Sequence, residues 1–230
     1  MQLYKVLGAD GAPHHGGYGK WHLPYDNQPG DWMPPIIGEL VQCRNGYHLC
    51  RADQLLMWLG PTVWRAEYLG EYLDAEDKIV VRQARLLSRV ETWNERTGRL
   101  LAADFAEHVL PVFKRHHPND LRPRKTIETI RRFANGEATR GELGAAESEA
   151  VGASNAGWAV SVASWAAGQA ARCAASSRPS WETVRVAAGE ARLAASQDGW
   201  SLLGKVGGGQ AEREWQAARL LTVLGEPALV

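Results

Sequence analysis

The sequence predicts an α+β protein, in which a small mixed β-rich N-terminal domain leads into an Ala/Trp-rich antiparallel helical bundle. Three observations carry this reading. Short β-branched and aromatic runs bounded by turn residues occupy the first part of the chain. The composition then changes near residue 135, and all three phenylalanines, all seven histidines and most of the prolines precede that point. After it, Ala, Gly, Ser and Trp dominate and recur at helical spacing. The boundaries that follow are a mixed domain over 1–92, a linking helix over 93–118 and a bundle over 119–230.

Leu3 to Leu7 reads as an opening strand. Gly8 to Pro35, rich in Gly, Pro, His and Asp, reads as a long ordered loop that Trp21 and Trp32 pin down. Glu39 to Cys43 and Tyr47 to Cys50 flank an Asn45-Gly46 turn and predict a hairpin. Ala52 to Leu59 reads as a short helix with Leu55, Leu56 and Leu59 inward. Val63 to Leu69 and Ile79 to Leu87 alternate as strands around an acidic turn at Asp74 to Asp77.

From Val90 the period becomes helical. Leu100, Leu101, Phe105, Val109, Val112 and Phe113 share a face, with Pro111 predicted to kink or break it. Arg122 to Phe133 predicts a helix capped by Asp120, with Pro123 in its first turn. Gly141 to Ala174 reads as one helix bent at its glycines, striped by Trp158, Val162, Trp165 and Gln169. Ser180 to Ala195 and Ala211 to Leu224 complete the bundle, with Trp181 and Trp215 inward. Gly204 to Gly209 reads as a flexible break between them.

Lys plus Arg equals Asp plus Glu, so the formal net charge is zero, which argues against a general nucleic-acid binder. No run of about eighteen apolar residues predicts a membrane span. The N-terminus lacks a cationic start followed by an apolar run, and three cysteines do not make a disulfide framework. A cytoplasmic location is the expectation.

Four groups of residues are candidates for function. Cys43, His48 and Cys50 form a C-x4-H-x-C cluster of zinc-ligand types, with a fourth ligand available from His14, His15 or His22. The alternative is two small buried thiols beside a hydrogen-bonded histidine. Lys114 to His117 with Arg122, Arg124, Lys125, Arg131 and Arg132 is the densest cationic run. It could grip nucleic acid or an acidic protein surface, or form a solvated face. Trp200, beside Gly199 and the glycine-rich break, is the tryptophan expected at the surface and so a candidate partner contact. No Ser-His-Asp set, P-loop, H-E-x-x-H or Rossmann fingerprint is present.

Gly46-Tyr47-His48-Leu49 followed by a helix through Trp58 is similar to ADP-ribosyltransferases of the histidine-tyrosine-glutamate type. That resemblance implies nicotinamide stacking on Tyr47 and a carboxylate from Glu67 or Glu71. The first-strand histidine or arginine of that family is not evident here. Tyr4-Lys5-Val6, the run Cys43 to Cys50, Glu67 to Glu71 and Asp77 to Val81 resemble a small domain common in bacteriophage proteins. That family reads C-x-x-G-[FY]-H-x-C, then G, then D-K, then a strand. The resemblance covers 1–92 and implies no particular activity.

Asp120 to Glu128, then Gly136-Glu137 before alanine-rich helices, resemble a helical immunity-protein family over 118–224. The resemblance implies binding and blocking of another protein. The chain departs from that family by carrying Trp158, Ser161 and Trp165 where an Ala/His-rich helix is expected, so no histidine-dependent role carries over. The resulting expectation is a non-catalytic, phage or mobile-element protein that inhibits, protects or regulates a protein partner. The alternatives are an ADP-ribosyltransferase-like enzyme, a DNA-associated regulator and a structural virion component.

Overall fold

The computed structural model describes residues 2–158, 161–197 and 208–226. The chain forms two compact units, Met1–Trp93 with Leu224–Pro227, and Asn94–Val223. The fold is α+β, as the sequence predicts.

The first unit is built on β1 (Leu3–Leu7), β2 (Tyr47–Leu49), β3 (Thr62–Asp74) and β4 (Ile79–Arg89), with one helix, α1 (Ala52–Trp58). The strands form one antiparallel sheet in the order β1-β3-β4-β2. Leu3, Leu7, Leu49, Trp64, Ile79, Val81, Ala84 and Leu86 fill its core together with Trp21 and Met33. β2 pairs only with Ile79, Val80 and Val81, so the rest of that β4 edge needs another partner. The long loop supplies it. The amides of Gly30, Met33 and Ile36 donate to the carbonyls of Leu86, Ala84 and Arg82, each at 2.9 Å. Trp21 is buried, and Trp32 lies under the Arg85 guanidinium at 4.5 Å.

The predicted hairpin does not form, and residues 39–43 are not a strand. The Asn45 carboxamide donates to the carbonyls of Ile37 (3.0 Å) and Glu39 (2.8 Å), and Val41 and Asn45 close a tight turn. Local side-chain bonding thus takes the backbone groups that a ladder would use. Gly46 has φ 144°, and a Cβ there would stand 2.3 Å from Val80 Cγ1, so only glycine brings the chain into β2.

The second unit contains α2 (Glu95–His116), α3 (Arg122–Ala134), α4 (Arg140–Trp158), α5 (Val162–Ala175), α6 (Ser180–Gln197) and α7 (Gly208–Leu224). α2, read from the sequence as a link over 93–118, is counted in this unit and packs on α3, α5 and α6. Pro111 does not break it, because Val109, Leu110, Val112 and Phe113 are buried on both sides of the missing donor. The first residue outside α3 is Leu121 rather than Asp120, although Asp120 Oδ1 accepts the Arg122 amide at 3.0 Å.

The helix predicted over 141–174 is two helices. α4 ends at Trp158, and Ser161 caps α5 by accepting the Ser164 amide at 3.0 Å. The glycines serve close approach rather than bending. A Cβ on Gly157 would lie 2.8 Å from Ser164 backbone, and one on Gly168 2.8 Å from Ser154 Cα. Such proximity makes a core of alanine, with Ala150, Ala153, Ala166, Ala170, Ala187, Ala188 and Ala191 fully buried. Indoles do not fit between axes this close. Trp165, Trp181 and Trp215 are therefore half-buried at the margins, and Trp158 is 62% exposed, against the inward positions expected of them.

Candidate functional site

The cationic run on α3 divides into paired and unpaired residues. Arg122 grips Asp120 at 2.6 Å and holds that carboxyl below the usual carboxylate range. Arg131 bonds Asp104 Oδ1 at 2.9 Å and Glu107 Oε2 at 2.6 Å, and lowers Glu107 in the same way. Arg132 reaches Glu142 Oε1 at 3.1 Å and the Glu137 carbonyl at 3.0 Å. Arg124 and Lys125 are exposed and make no side-chain hydrogen bond among the described residues. Leu121 beside them is exposed as well. Three of the five predicted cations are thus already neutralised by carboxylates. That removes the surplus positive charge that phosphate binding requires. What remains is a small patch of Arg124 and Lys125 on α3, with Leu121 just before the helix and exposed Glu128 one turn further on. Trp200 lies outside the described residues.

A polar seam between α2 and α7 escaped the sequence reading. Asp104, only 15% exposed in its side chain, accepts from Arg131 and, through Oδ2, from Arg219 Nη2 at 2.7 Å. One turn further along, His108 stacks on Trp215 with centroids 3.7 Å apart, and its Nδ1 lies 2.6 Å from Glu212 Oε2. Glu212 Oε1 accepts from Gln216 Nε2 at 2.9 Å, and Gln216 Oε1 accepts from Arg192 at 3.2 Å. The two buried carboxylates of this seam, Asp104 and Glu212, are each met by two partners, as burial requires. The signal was present as spacing. Asp104 and His108 are four apart, and Glu212, Trp215, Gln216 and Arg219 fall on one helical face.

Cys43, His48 and Cys50 lie in unlike surroundings, exposed, half-buried and buried in turn. Among the described residues no group of three His, Cys, Asp or Glu is placed to hold a metal ion. His48 Nε2 accepts the Cys43 amide at 3.1 Å, which occupies its lone pair. Burial, then the charges of Lys5 and Lys78, push His48 down to about 4. Cys50 is buried, and desolvation pushes its thiol up to about 12. Cys43 is exposed, with Sγ 3.4 Å from the Lys78 ammonium, which also meets Asp77 at 3.2 Å and the Trp58 ring at 4.3 Å. His15, a predicted fourth ligand, has Nε2 at 2.6 Å from the Trp58 carbonyl.

The residues read as a nicotinamide site are committed elsewhere. Tyr47 donates its hydroxyl to the Pro34 carbonyl at 2.8 Å and packs edge-on to Trp21 at 5.5 Å. Glu67 pairs with Arg85, and Glu71 with Arg82. The sheet uses these side chains as packing and cross-strand ion pairs.

Residues 88–222 match the model of the Imm-5 like putative immunity protein family. The chain belongs to this family. No curated protein and no solved structure matches it. The Imm-5 like segment starts in β4 and runs through α2, α3, α4, α5 and α6 into α7, so it takes in the whole polar seam as well as the cationic face of α3. It begins at residue 88, well before residue 118, where the sequence resemblance began, and so includes the whole of α2. Residues 1–87 lie outside the Imm-5 like match. No helix among the described residues is long and apolar enough to cross a membrane.

Proposed function

We propose that this chain is a non-catalytic, cytoplasmic binding protein that inhibits or neutralises a protein partner, as the name of its family implies, and that it is carried by a phage or another mobile element. The observation that carries the reading is the match of residues 88–222 to the immunity-protein family, which spans nearly all of the helical unit. The unpaired cations of α3 support it. Arg124 and Lys125 are exposed beside exposed Leu121 and make no side-chain hydrogen bond among the described residues, a combination suited to an acidic rim around an apolar protein contact. Arg122, Arg131 and Arg132 contribute by rigidity, since their ion pairs fix the helix that presents the patch. Trp200 is a further candidate contact from its sequence setting.

The test is affinity purification of the tagged chain from its native host, read by mass spectrometry. The expected result is one stoichiometric protein partner, lost in the double variant Arg124→Glu, Lys125→Glu, with an unchanged thermal midpoint. A chain that recruits no partner and instead turns over NAD or another small molecule would overturn the reading.

A further inference from the structure

The exposed face of α4 is the strongest feature that the partner-binding reading leaves unused. Gly144, Ser148, Val151, Asn155 and Trp158 are all exposed and recur at spacings of four, three, four and three residues. No charge lies among them. Trp158 is 62% exposed and is braced edge-on by Trp165, with centroids 5.4 Å apart. Together with Asn155 these two rings line an open pocket. At the other end of the same face, a Cβ on Gly144 would meet nothing within 4 Å. Packing inside the chain therefore does not demand glycine there, although glycine weakens an exposed helix.

We propose that this face docks a second copy of the chain, α4 lying antiparallel on α4. Size complementarity points to this occupant. Val151 stands seven residues from Gly144 and seven from Trp158. A two-fold axis near Val151 therefore lays each Trp158 over the Gly144–Ser148 stretch of the other copy, a knob on a surface without a Cβ in its way. Charge agrees with the same arrangement. The half-buried Glu147 on the rim falls beside the uncharged Asn155 carboxamide of the other copy, and the helix dipoles oppose. A parallel pair would instead set Glu147 against Glu147 and leave Gly144 empty. The face is about 22 Å long and ~10 Å wide. That is smaller than a standard interface of about 800 Å² per partner, so the dimer is weak and concentration-dependent. This inference is independent of the α3 patch.

Sedimentation velocity over a concentration series tests it on the full chain. The wild type is expected to rise from a monomer of 25.3 kDa toward twice that mass by ~1 mM. Val151→Glu places like charges at the axis and is expected to weaken the association at least about tenfold. Gly144→Ala is expected to weaken it while raising the thermal midpoint, which separates loss of docking from loss of fold. A Val151→Cys chain in a Cys43→Ser background is expected to cross-link to itself on mild oxidation. A wild type that stays monomeric throughout, or a dimer indifferent to Val151→Glu, overturns the proposal.

Discussion

Tyr4 and Cys50 exchange both of their backbone hydrogen bonds, each at 2.8 Å, and so join β1 to the end of β2, the two outer strands of the sheet. Both residues are buried at this junction. Burial raises the Tyr4 hydroxyl above its ordinary range, and the neighbouring Glu226 carboxylate raises it further. The junction is buried, and its thiol belongs to the packing.

The three cysteines should therefore separate by reactivity. Cys43 is exposed beside an ammonium, whereas burial holds Cys50 up at about 12 and Cys173 at about 11. Native protein at pH 8 is expected to release one fast equivalent from a chromogenic disulfide reagent, and Cys43→Ser none. All three should react after unfolding. A second fast equivalent in the native protein that Cys50→Ser abolishes would mean that the Tyr4–Cys50 junction opens.

Stability should rise with pH in two windows. His48 titrates near 4 in the folded chain, below its ordinary 6.5, because burial and the nearby Lys5 and Lys78 charges disfavour its cation. Between those values the unfolded chain binds the extra proton, so acidification from 6.5 toward 4 removes stability. Lys5, held against Trp21 and donating to the His48 carbonyl at 3.0 Å, is pushed down to about 8 by burial. Its ammonium is disfavoured in the fold below 8, and that penalty is relieved as pH rises from 8 to 10.5. Thermal midpoints across pH should show both limbs. His48→Gln should flatten the acid one and Lys5→Met the alkaline one, and a wild-type acid limb unchanged in His48→Gln would refute the assignment.

The sequence carried β1, α1, β4, α3 and α6 to within two residues because each is bounded by turn chemistry and fills its own period, whereas β3, read as ending at Leu69, runs on through Gly70 to Asp74. It misled where side chains act on backbone. Asn45 looked like a hairpin residue, but its carboxamide bonds Ile37 and Glu39 instead. Trp158 and Trp165 looked like core because they keep helical spacing. Helical spacing does not say how near the neighbouring axis comes, and an alanine core leaves no room for indoles. The Arg122 to Arg132 run was legible as charge, yet its neutralisation was not. Asp104 and Glu107 come from α2 and Glu142 from α4, and only the fold brings them to α3.

Asp104 should be the costliest carboxylate to remove from the helical unit. It accepts from Arg131 and Arg219, and its truncation leaves two guanidinium groups without their shared partner. Asp104→Ala is expected to lower the unfolding free energy by about 2–4 kcal/mol in urea titrations. Glu107 also pairs with Arg131, but its side chain is 51% exposed, and Glu107→Gln should cost under ~1 kcal/mol. Equal losses at the two positions would show that Arg131 alone, rather than the shared carboxylate, sets the stability of the seam.

Arg99 should resist even conservative exchange. Its side chain is 3% exposed and lies in α2, where it donates to the Ser176 carbonyl at 2.5 Å, to the Arg178 carbonyl and to Glu95 Oε1 at 3.0 Å. Glu95 Oε2 in turn accepts the Ser180 amide at 3.0 Å, at the start of α6. One guanidinium therefore satisfies the carbonyls of the α5–α6 turn and orients the carboxylate that holds the first residue of α6. Lysine keeps the charge, but its single ammonium cannot span three acceptors arranged around a planar fork. Arg99→Lys is expected to cost about 2–4 kcal/mol, close to Arg99→Met, because in both cases the fork that joins the Ser176 and Arg178 carbonyls to Glu95 is lost from a buried position. Hydrogen exchange should localise the loss, with amides of the α5–α6 turn and the first turn of α6 exchanging faster while those of the sheet do not change. A lysine variant as stable as the wild type would show that charge alone, without the fork, holds this turn.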